Sequence, residues 1–168
     1  MRMPDSLPTG AFTCEIRMKR IRPPQVATER HGDVTYMVAR GYELAYETTL
    51  QFGGDERLAV KARLFGELNR QLVFRDTAGK PVRTSGWVHG RVEIADAEGQ
   101  VLFRGPYYDS RVVQTLAGDE ELTRTGQRIV HWENGFGEGP YVGHAFSLGV
   151  EFVWEDPVNR GTGRGEIE

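Results

Sequence analysis

The sequence predicts an all-β domain, a single antiparallel β-barrel of about eight to ten strands. Short runs in which apolar and polar residues alternate recur along the chain, and turn-forming residues separate them. Glycine accounts for 21 of the 168 residues, against a usual level of about 7%, and many of these glycines lie between the alternating runs. Consecutive hairpins leave exposed sheet edges unless the sheet closes, so a barrel is favoured over the alternative, a β-sandwich.

The first strands are indicated by alternation and by the residues that end it. Apolar residues alternate with polar ones from Phe12 to Met18, which is typical of a strand with one buried face. Pro23-Pro24 ends this strand, because proline cannot donate to a β-ladder. A short strand is expected over Asp33–Arg40.

The middle of the chain holds both the most regular and the least certain pattern. Alternation is clearest over Tyr42–Phe52, and Gly53-Gly54-Asp55 predicts a turn after it. The next segment, Glu56–Arg70, fits both a strand and a helical stripe of apolar residues. We favour the strand, because the neighbouring segments are strands and Gly66 disfavours a helix.

Hairpins dominate the second half of the chain. Glycine-containing turns at Thr77–Pro81 and Asp96–Gly99 predict two of them. Strands over Ser110–Leu116 and Arg128–Trp132 flank a polar, acidic loop at Ala117–Gln127.

The longest strand is expected over Tyr141–Trp154, which completes a barrel domain spanning residues 12–154. Residues 1–11 are interpreted as an N-terminal extension. Residues 155–168 are polar and glycine-rich, with Val158 and Ile167 as their only apolar anchors, and they predict a flexible C-terminal tail.

Charge and cysteine content exclude several protein classes. The 21 basic and 24 acidic residues give a net charge of −3, which argues against a nucleic-acid binder because phosphate binding needs a clustered basic surface. No apolar run approaches the roughly 18 residues of a membrane-spanning helix, and no secretory signal is recognisable. The lone Cys14 rules out an internal disulfide framework. A cytoplasmic protein without nucleic-acid or membrane partners is therefore expected.

His144, Tyr141 and Glu133 are the candidates for acid–base chemistry. His144 shares a face of the expected last strand with Val142 and Phe146, where burial would favour the neutral imidazole. It is either a core histidine or a donor or base that projects into a ligand cavity, and the sequence leaves both readings open.

Aromatic residues on the expected strands supply candidates for substrate binding. Most of them must serve as core, but an apolar pocket with a few tyrosine hydroxyls and an indole N–H is typical of a small-molecule site. The candidate lining residues are Tyr36, Tyr46, Trp132 and Phe146.

Motifs for metals, cofactors and nucleophiles are missing from the sequence. It contains no His-x-His pair, no Gly-x-Ser-x-Gly elbow and no phosphate-binding loop. Cys14 lies on an apolar face and is interpreted as a core residue. We expect neither a metal nor a cofactor.

Residues 135–149, Gly-Phe-Gly-Glu-Gly-Pro-Tyr-Val-Gly-His-Ala-Phe-Ser-Leu-Gly, resemble a segment of the dirigent and allene oxide cyclase-like barrels. In that group, which includes small bacterial cyclases of polyketide pathways, a glycine-rich turn and an aromatic residue lead into a late strand. No catalytic residue set transfers by position. The resemblance implies a barrel that holds a flexible apolar substrate in one reactive conformer without a cofactor, and such positioning can lower a barrier by up to roughly 7–11 kcal/mol.

The leading hypothesis is therefore a cyclase or isomerase that acts on a small, largely apolar metabolite of polyketide type. The alternatives are a non-catalytic, lipocalin-like carrier and an assembly subunit whose barrel is filled by side chains. Apolar residues on both faces of the last expected strand, such as Ala145 and Val153, favour a covered outer face, as in a homodimer.

Overall fold

The structure, a computed structural model, describes residues 7–79, 81–112, 128–155 and 158–168. Within these ranges the chain forms ten β-strands and one 3-10 helix, Gly139–Tyr141. None of the helical structure in these ranges is long and apolar enough to cross a membrane. The strands are β1 (Gly10–Arg22), β2 (Gln25–His31), β3 (Val34–Arg40), β4 (Glu43–Phe52), β5 (Arg57–Arg75), β6 (Pro81–Ala95), β7 (Val101–Val112), β8 (Arg128–Gly137), β9 (Ala145–Glu155) and β10 (Val158–Ile167).

Eight of the strands close into an antiparallel β-barrel, as the sequence predicts. The sheet order is β2-β3-β5-β4-β1-β10-β9-β8-β7-β6, and an additional β5–β6 pairing joins the two sides. Strand β5 is long enough to pair first with β4 and then, at residues 69–72, with β3. The β2–β3 hairpin therefore extends the sheet beyond the closed barrel.

The two ends of the barrel differ in what they bury. At one end, the aromatic end, the rings of Phe12, Phe103 and Phe146 pack together with centroid separations of 5.1–5.6 Å. Tyr141 packs on Phe103 at 4.8 Å, and its hydroxyl donates to the Pro8 carbonyl at 2.9 Å. The other end, the hairpin end, carries the β2–β3 hairpin and the distal parts of β5 and β6.

Most expected strands and turns are confirmed, including the ambiguous Glu56–Arg70 segment, which lies within strand β5 apart from its first residue. The two predicted hairpin turns form, with positive φ at Gly79 and Gly99. The expected strand over Tyr141–Trp154 begins later, at Ala145, because a 3-10 helix precedes it. The predicted loop at 117–127 lies outside the described residues.

The prediction of a flexible tail over residues 155–168 is wrong for residues 158–167, which form strand β10 between β1 and β9. Three inward-facing glycines, Gly161, Gly163 and Gly165, hide the apolar alternation on which strand prediction depends. Side chains of neighbouring strands occupy the space that these glycines leave: a Cβ at Gly163 would lie 2.7 Å from Cys14 Sγ and 2.9 Å from Leu148 Cδ1.

Replacing Gly163 by valine should destabilise the barrel, because the added side chain meets Cys14 and Leu148 in a packed interior. We expect a loss of about 1–3 kcal/mol in the free energy of unfolding, measured by urea denaturation. The control is Arg164→Val, the next residue along β10, which is exposed. Equal stability of Gly163→Val and the control would contradict the packing of β10 against β1.

Candidate active site

A glutamate lies at the centre of the barrel interior. Glu133 on β8 is 0% exposed, and the hydroxyl of Tyr46 on β4 lies 2.9 Å from both of its carboxylate oxygens. The two residues are 87 positions apart in sequence and meet across the barrel. A buried carboxylate is stable only when its oxygens are paired, and this hydroxyl provides one of the partners.

An imidazole ring joins this glutamate to a second buried carboxylate. His131 Nε2 lies 2.9 Å from Glu133 Oε2, and Nδ1 is hydrogen-bonded to Asp109 on β7. His131 and Asp109 are buried as well. We call Asp109, His131, Glu133 and Tyr46 the acid–base array.

The carboxylates hold the imidazole in its charged form. Burial by itself lowers the pKa of His131, but the Asp109 carboxylate and then Glu133 outweigh burial and raise that pKa to about 10. Both ring nitrogens of the imidazolium are donors, and each has a carboxylate as its acceptor. The array therefore holds one cation between two anions.

Burial and the Glu133 carboxylate keep two nearby groups protonated. Together they raise the pKa of Tyr46 well above its usual value and that of Cys14 to about 12. Tyr46 is therefore a neutral hydrogen-bond donor at neutral pH. Cys14 remains a thiol, as the interpretation of a core residue implies.

Two aromatic rings pack against the imidazole, and a glycine makes room for one of them. The rings of Tyr107 and Phe152 lie 5.5 and 5.6 Å from that of His131. Tyr107 donates to the Tyr42 hydroxyl at 3.3 Å. The Tyr107 ring crosses the place where Gly90 has no side chain, since a Cβ there would lie 2.6 Å from Tyr107 Cε1.

The structure brings together two of the residues singled out from the sequence, Glu133 and Tyr46. Phe146 also points into the barrel, but it belongs to the aromatic end. Tyr141 is buried at that same end with its hydroxyl on Pro8. His144 lies at the rim before β9, where its Nδ1 is 2.8 Å from the Glu168 carbonyl.

Two predicted lining residues lie outside the barrel. Trp132 is on the outer face of β8, where it stacks on Tyr108 at 5.1 Å. Tyr36 is on β3, in the sheet extension, where Arg70 lies 5.7 Å above its ring.

Sequence reasoning missed His131 and Asp109. The outer face of β8 carries Val130, Trp132 and Phe136, so its apolar pattern suggests that this face is the buried one. The spacing of His131 and Glu133 is the signal that could have indicated a site. Residues two positions apart lie on the same face of a strand, so these two ionisable side chains share their surroundings. Nothing in the sequence places Asp109 beside them.

Burying these four polar side chains costs more free energy than filling the same volume with apolar residues would. Replacing a buried ionic cluster by apolar residues of the same volume is often neutral or stabilising, by about 1–4 kcal/mol. The aromatic end of this barrel is filled by apolar rings. Buried, strongly coupled ionisable groups of this kind are typical of sites of chemistry.

The four side chains are hydrogen-bonded in a row. Within the described ranges, no group of three or more His, Cys, Asp or Glu residues is arranged to hold a metal ion. Comparison of the chain with protein-family models, curated proteins and solved structures finds no match. A function for this chain is therefore inferred from the residues of the acid–base array.

Stability should fall with rising pH because of His131. Its pKa is 6.5 in the unfolded reference and about 10 in the fold, so its stabilisation is complete below pH 6.5 and is lost as the pH rises towards 10. We expect the free energy of unfolding to decrease by about 2 kcal/mol between pH 7 and 9. The shift of Cys14 begins to contribute only near pH 9.

Urea denaturation at several pH values measures this slope. His89→Gln, at an exposed position, should retain it, and His131→Gln should remove it. Imidazole nitrogen chemical shifts of the wild-type protein give an independent readout if His131→Gln does not fold. A neutral His131 at pH 8 would overturn the assignment.

Proposed function

We propose that the barrel is a cofactor-independent isomerase or cyclase that acts on a small, largely apolar carbonyl compound, such as a polyketide-type intermediate. The observation that supports this most strongly is a buried carboxylate, Glu133, that is hydrogen-bonded to a neutral tyrosine and to an imidazolium. A carboxylate held in a fixed position can take a proton from a bound substrate as a general base. A cytoplasmic location belongs to the same proposal.

Glu133 is the base of the proposed reaction. It removes a proton from the carbon next to the carbonyl: the C–H bond breaks, its electron pair forms a C=C bond, and the carbonyl π pair moves to oxygen. If the substrate has a β,γ-double bond, the enolate is a dienolate: the C=C electron pair can take up the proton at the γ carbon while the oxygen pair re-forms the carbonyl, which completes an isomerisation. Attack of the enolate carbon on an electrophilic carbonyl of the same substrate closes a ring, and the proton passes to the new alkoxide.

Tyr46 stabilises the enolate oxygen. Before the reaction its hydroxyl donates to Glu133. Once Glu133 has taken the proton it is a weaker acceptor, and the hydroxyl is available to the developing oxyanion. One well-placed donor of this kind contributes about 3–4 kcal/mol to the transition state.

His131 and Asp109 are positioning residues. His131 holds one oxygen of Glu133 through Nε2, while Asp109 fixes the ring through Nδ1. The imidazolium also places a positive charge next to the carboxylate of Glu133.

Deuterium exchange tests the proposed base. In D2O buffer the wild-type protein should accelerate exchange of the C1 protons of 2-tetralone, a compact apolar ketone, followed by NMR. Glu133→Gln should reduce the protein-catalysed rate by about 10²–10⁴, and Tyr46→Phe by about 10²–10³.

Glu47→Gln is the matched control, because Glu47 follows Tyr46 on β4 and is exposed. This variant should exchange as the wild type does. Circular dichroism and the midpoint of thermal unfolding establish that each variant is folded. Equal exchange by folded Glu133→Gln and the wild type would overturn the proposed mechanism.

An assembly subunit is the second candidate, favoured by aromatic residues on the outside of the barrel. Trp87 on β6 is 74% exposed and Phe136 on β8 is 79% exposed, and the stacked Tyr108–Trp132 pair lies on the same outer face. Exposed aromatic clusters are typical of protein contacts. A homodimer is the simplest assembly that would cover this face.

Sedimentation equilibrium tests this second candidate. If the outer face mediates dimerisation, the wild-type chain should sediment as a dimer, and Trp87→Ser with Phe136→Ser should weaken association at least tenfold. Ile21→Ser, at a different exposed apolar position, is the control. A monomeric wild type at high concentration would exclude the homodimer.

A further inference from the structure

The interior of the barrel changes in polarity along its axis. The aromatic end is filled by phenylalanine rings, and the acid–base array lies beyond them. Towards the hairpin end the chain buries three amide side chains, Asn69, Gln71 and Asn159. An elongated ligand bound along the axis would therefore meet apolar groups at one end and amides at the other.

Asn159 differs from the other two amides in its hydrogen bonding. Gln71 Nε2 donates to Asn69 Oδ1 at 3.1 Å. Asn159 is only 5% exposed, and its Oδ1 has no hydrogen-bond partner among the described residues. A buried carbonyl oxygen without a donor is destabilising, and such an atom in a native protein calls for an explanation.

The register of the strands places Asn159 beside the array. Asn159 pairs with Met18 on β1, and the Lys19–Ala45 pairing places Met18 next to Tyr46 on β4. The next inward-facing residue of β10 is Gly161, which pairs with Phe152 on β9. The ring of Phe152 packs on His131. The unpartnered oxygen thus belongs to the layer of the barrel that adjoins the proposed base.

We propose that Asn159 Oδ1 accepts a hydrogen bond from the substrate, and that the substrate therefore carries a hydroxyl or N–H group remote from its reacting carbonyl. This inference depends on the proposed function, since it identifies the class of compound that the isomerase or cyclase takes. The carbonyl lies at Glu133 and Tyr46, and the donor group lies towards the hairpin end. Asn159 is a specificity-determining residue and has no part in the proton transfer.

A matched pair of ketones tests the inference: 6-hydroxy-2-tetralone, which has a donor remote from the carbonyl, and 6-methoxy-2-tetralone, which lacks it. The wild type should favour the hydroxy compound about tenfold, the value of one hydrogen bond, and the preference should appear in KM of the exchange reaction rather than in kcat. Asn159→Leu, similar in size but without polar atoms, should abolish the preference.

Met18→Leu is the control, because Met18 is the residue opposite Asn159 in the β1–β10 pairing and the substitution does not alter polarity there. It should keep the tenfold preference. Thermal unfolding separates ligand recognition from a structural role: removing an unpartnered oxygen should leave the melting temperature of Asn159→Leu unchanged or higher. A lower melting temperature with the preference intact would overturn the inference.

Failure of the inference and failure of the proposed function give different results. If exchange depends on Glu133 but neither the wild type nor Asn159→Leu distinguishes the two ketones, only the role of Asn159 is rejected. A second outcome is that no exchange occurs, but calorimetry shows that the wild type, unlike Asn159→Leu, binds the hydroxy compound more tightly than the methoxy compound. This result rejects the enzymatic function and retains the binding role of Asn159. If neither ketone binds to the wild type, the inference is rejected.

Discussion

The need to bury one imidazolium between two carboxylates determines much of this barrel. Asp109, His131 and Glu133 lie where no water competes for their hydrogen bonds, so every polar atom must find its partner in the protein. Tyr46 supplies the donor that reaches Glu133 from the opposite strand. The rings of Tyr107 and Phe152 then pack against the imidazole. The closed sheet is what makes such complete enclosure attainable, because it brings β4, β7 and β8 around a single interior.

Glycines provide the room that this arrangement requires. An eight-stranded barrel has an interior only wide enough for packed side chains or one small ligand, so large rings need neighbours without side chains. Tyr42 packs over Gly66 and Tyr107 over Gly90, and Cys14 occupies the space beside Gly163. The high glycine content therefore serves both the turns and the interior. Turns alone would not require glycines that alternate with polar residues along β10.

The same physical features explain what the sequence could and could not predict. The regular pattern of Tyr42–Phe52 marks a strand because its inward residues have side chains that signal burial. Strand β10 carries glycines at most of its inward positions and therefore looks like a tail. Strand β8 is misleading in another way: its ionisable residues point inward, and Trp132 points outward. The register of β7 on β8 brings Asp109 to His131, and closure of the barrel brings Tyr46 to Glu133. No local sequence pattern records either arrangement.

The interior also imposes a direction on any molecule that binds in it. Apolar rings fill one end of the barrel, and an amide oxygen without a donor lies towards the other. A ligand with one polar terminus can satisfy that oxygen in only one orientation, because the reverse orientation would bury its donor among phenylalanine rings. The orientation in turn determines which carbon meets Glu133. In the proposed reaction, recognition of a remote group and the site of proton removal are thus coupled by the geometry of a narrow barrel.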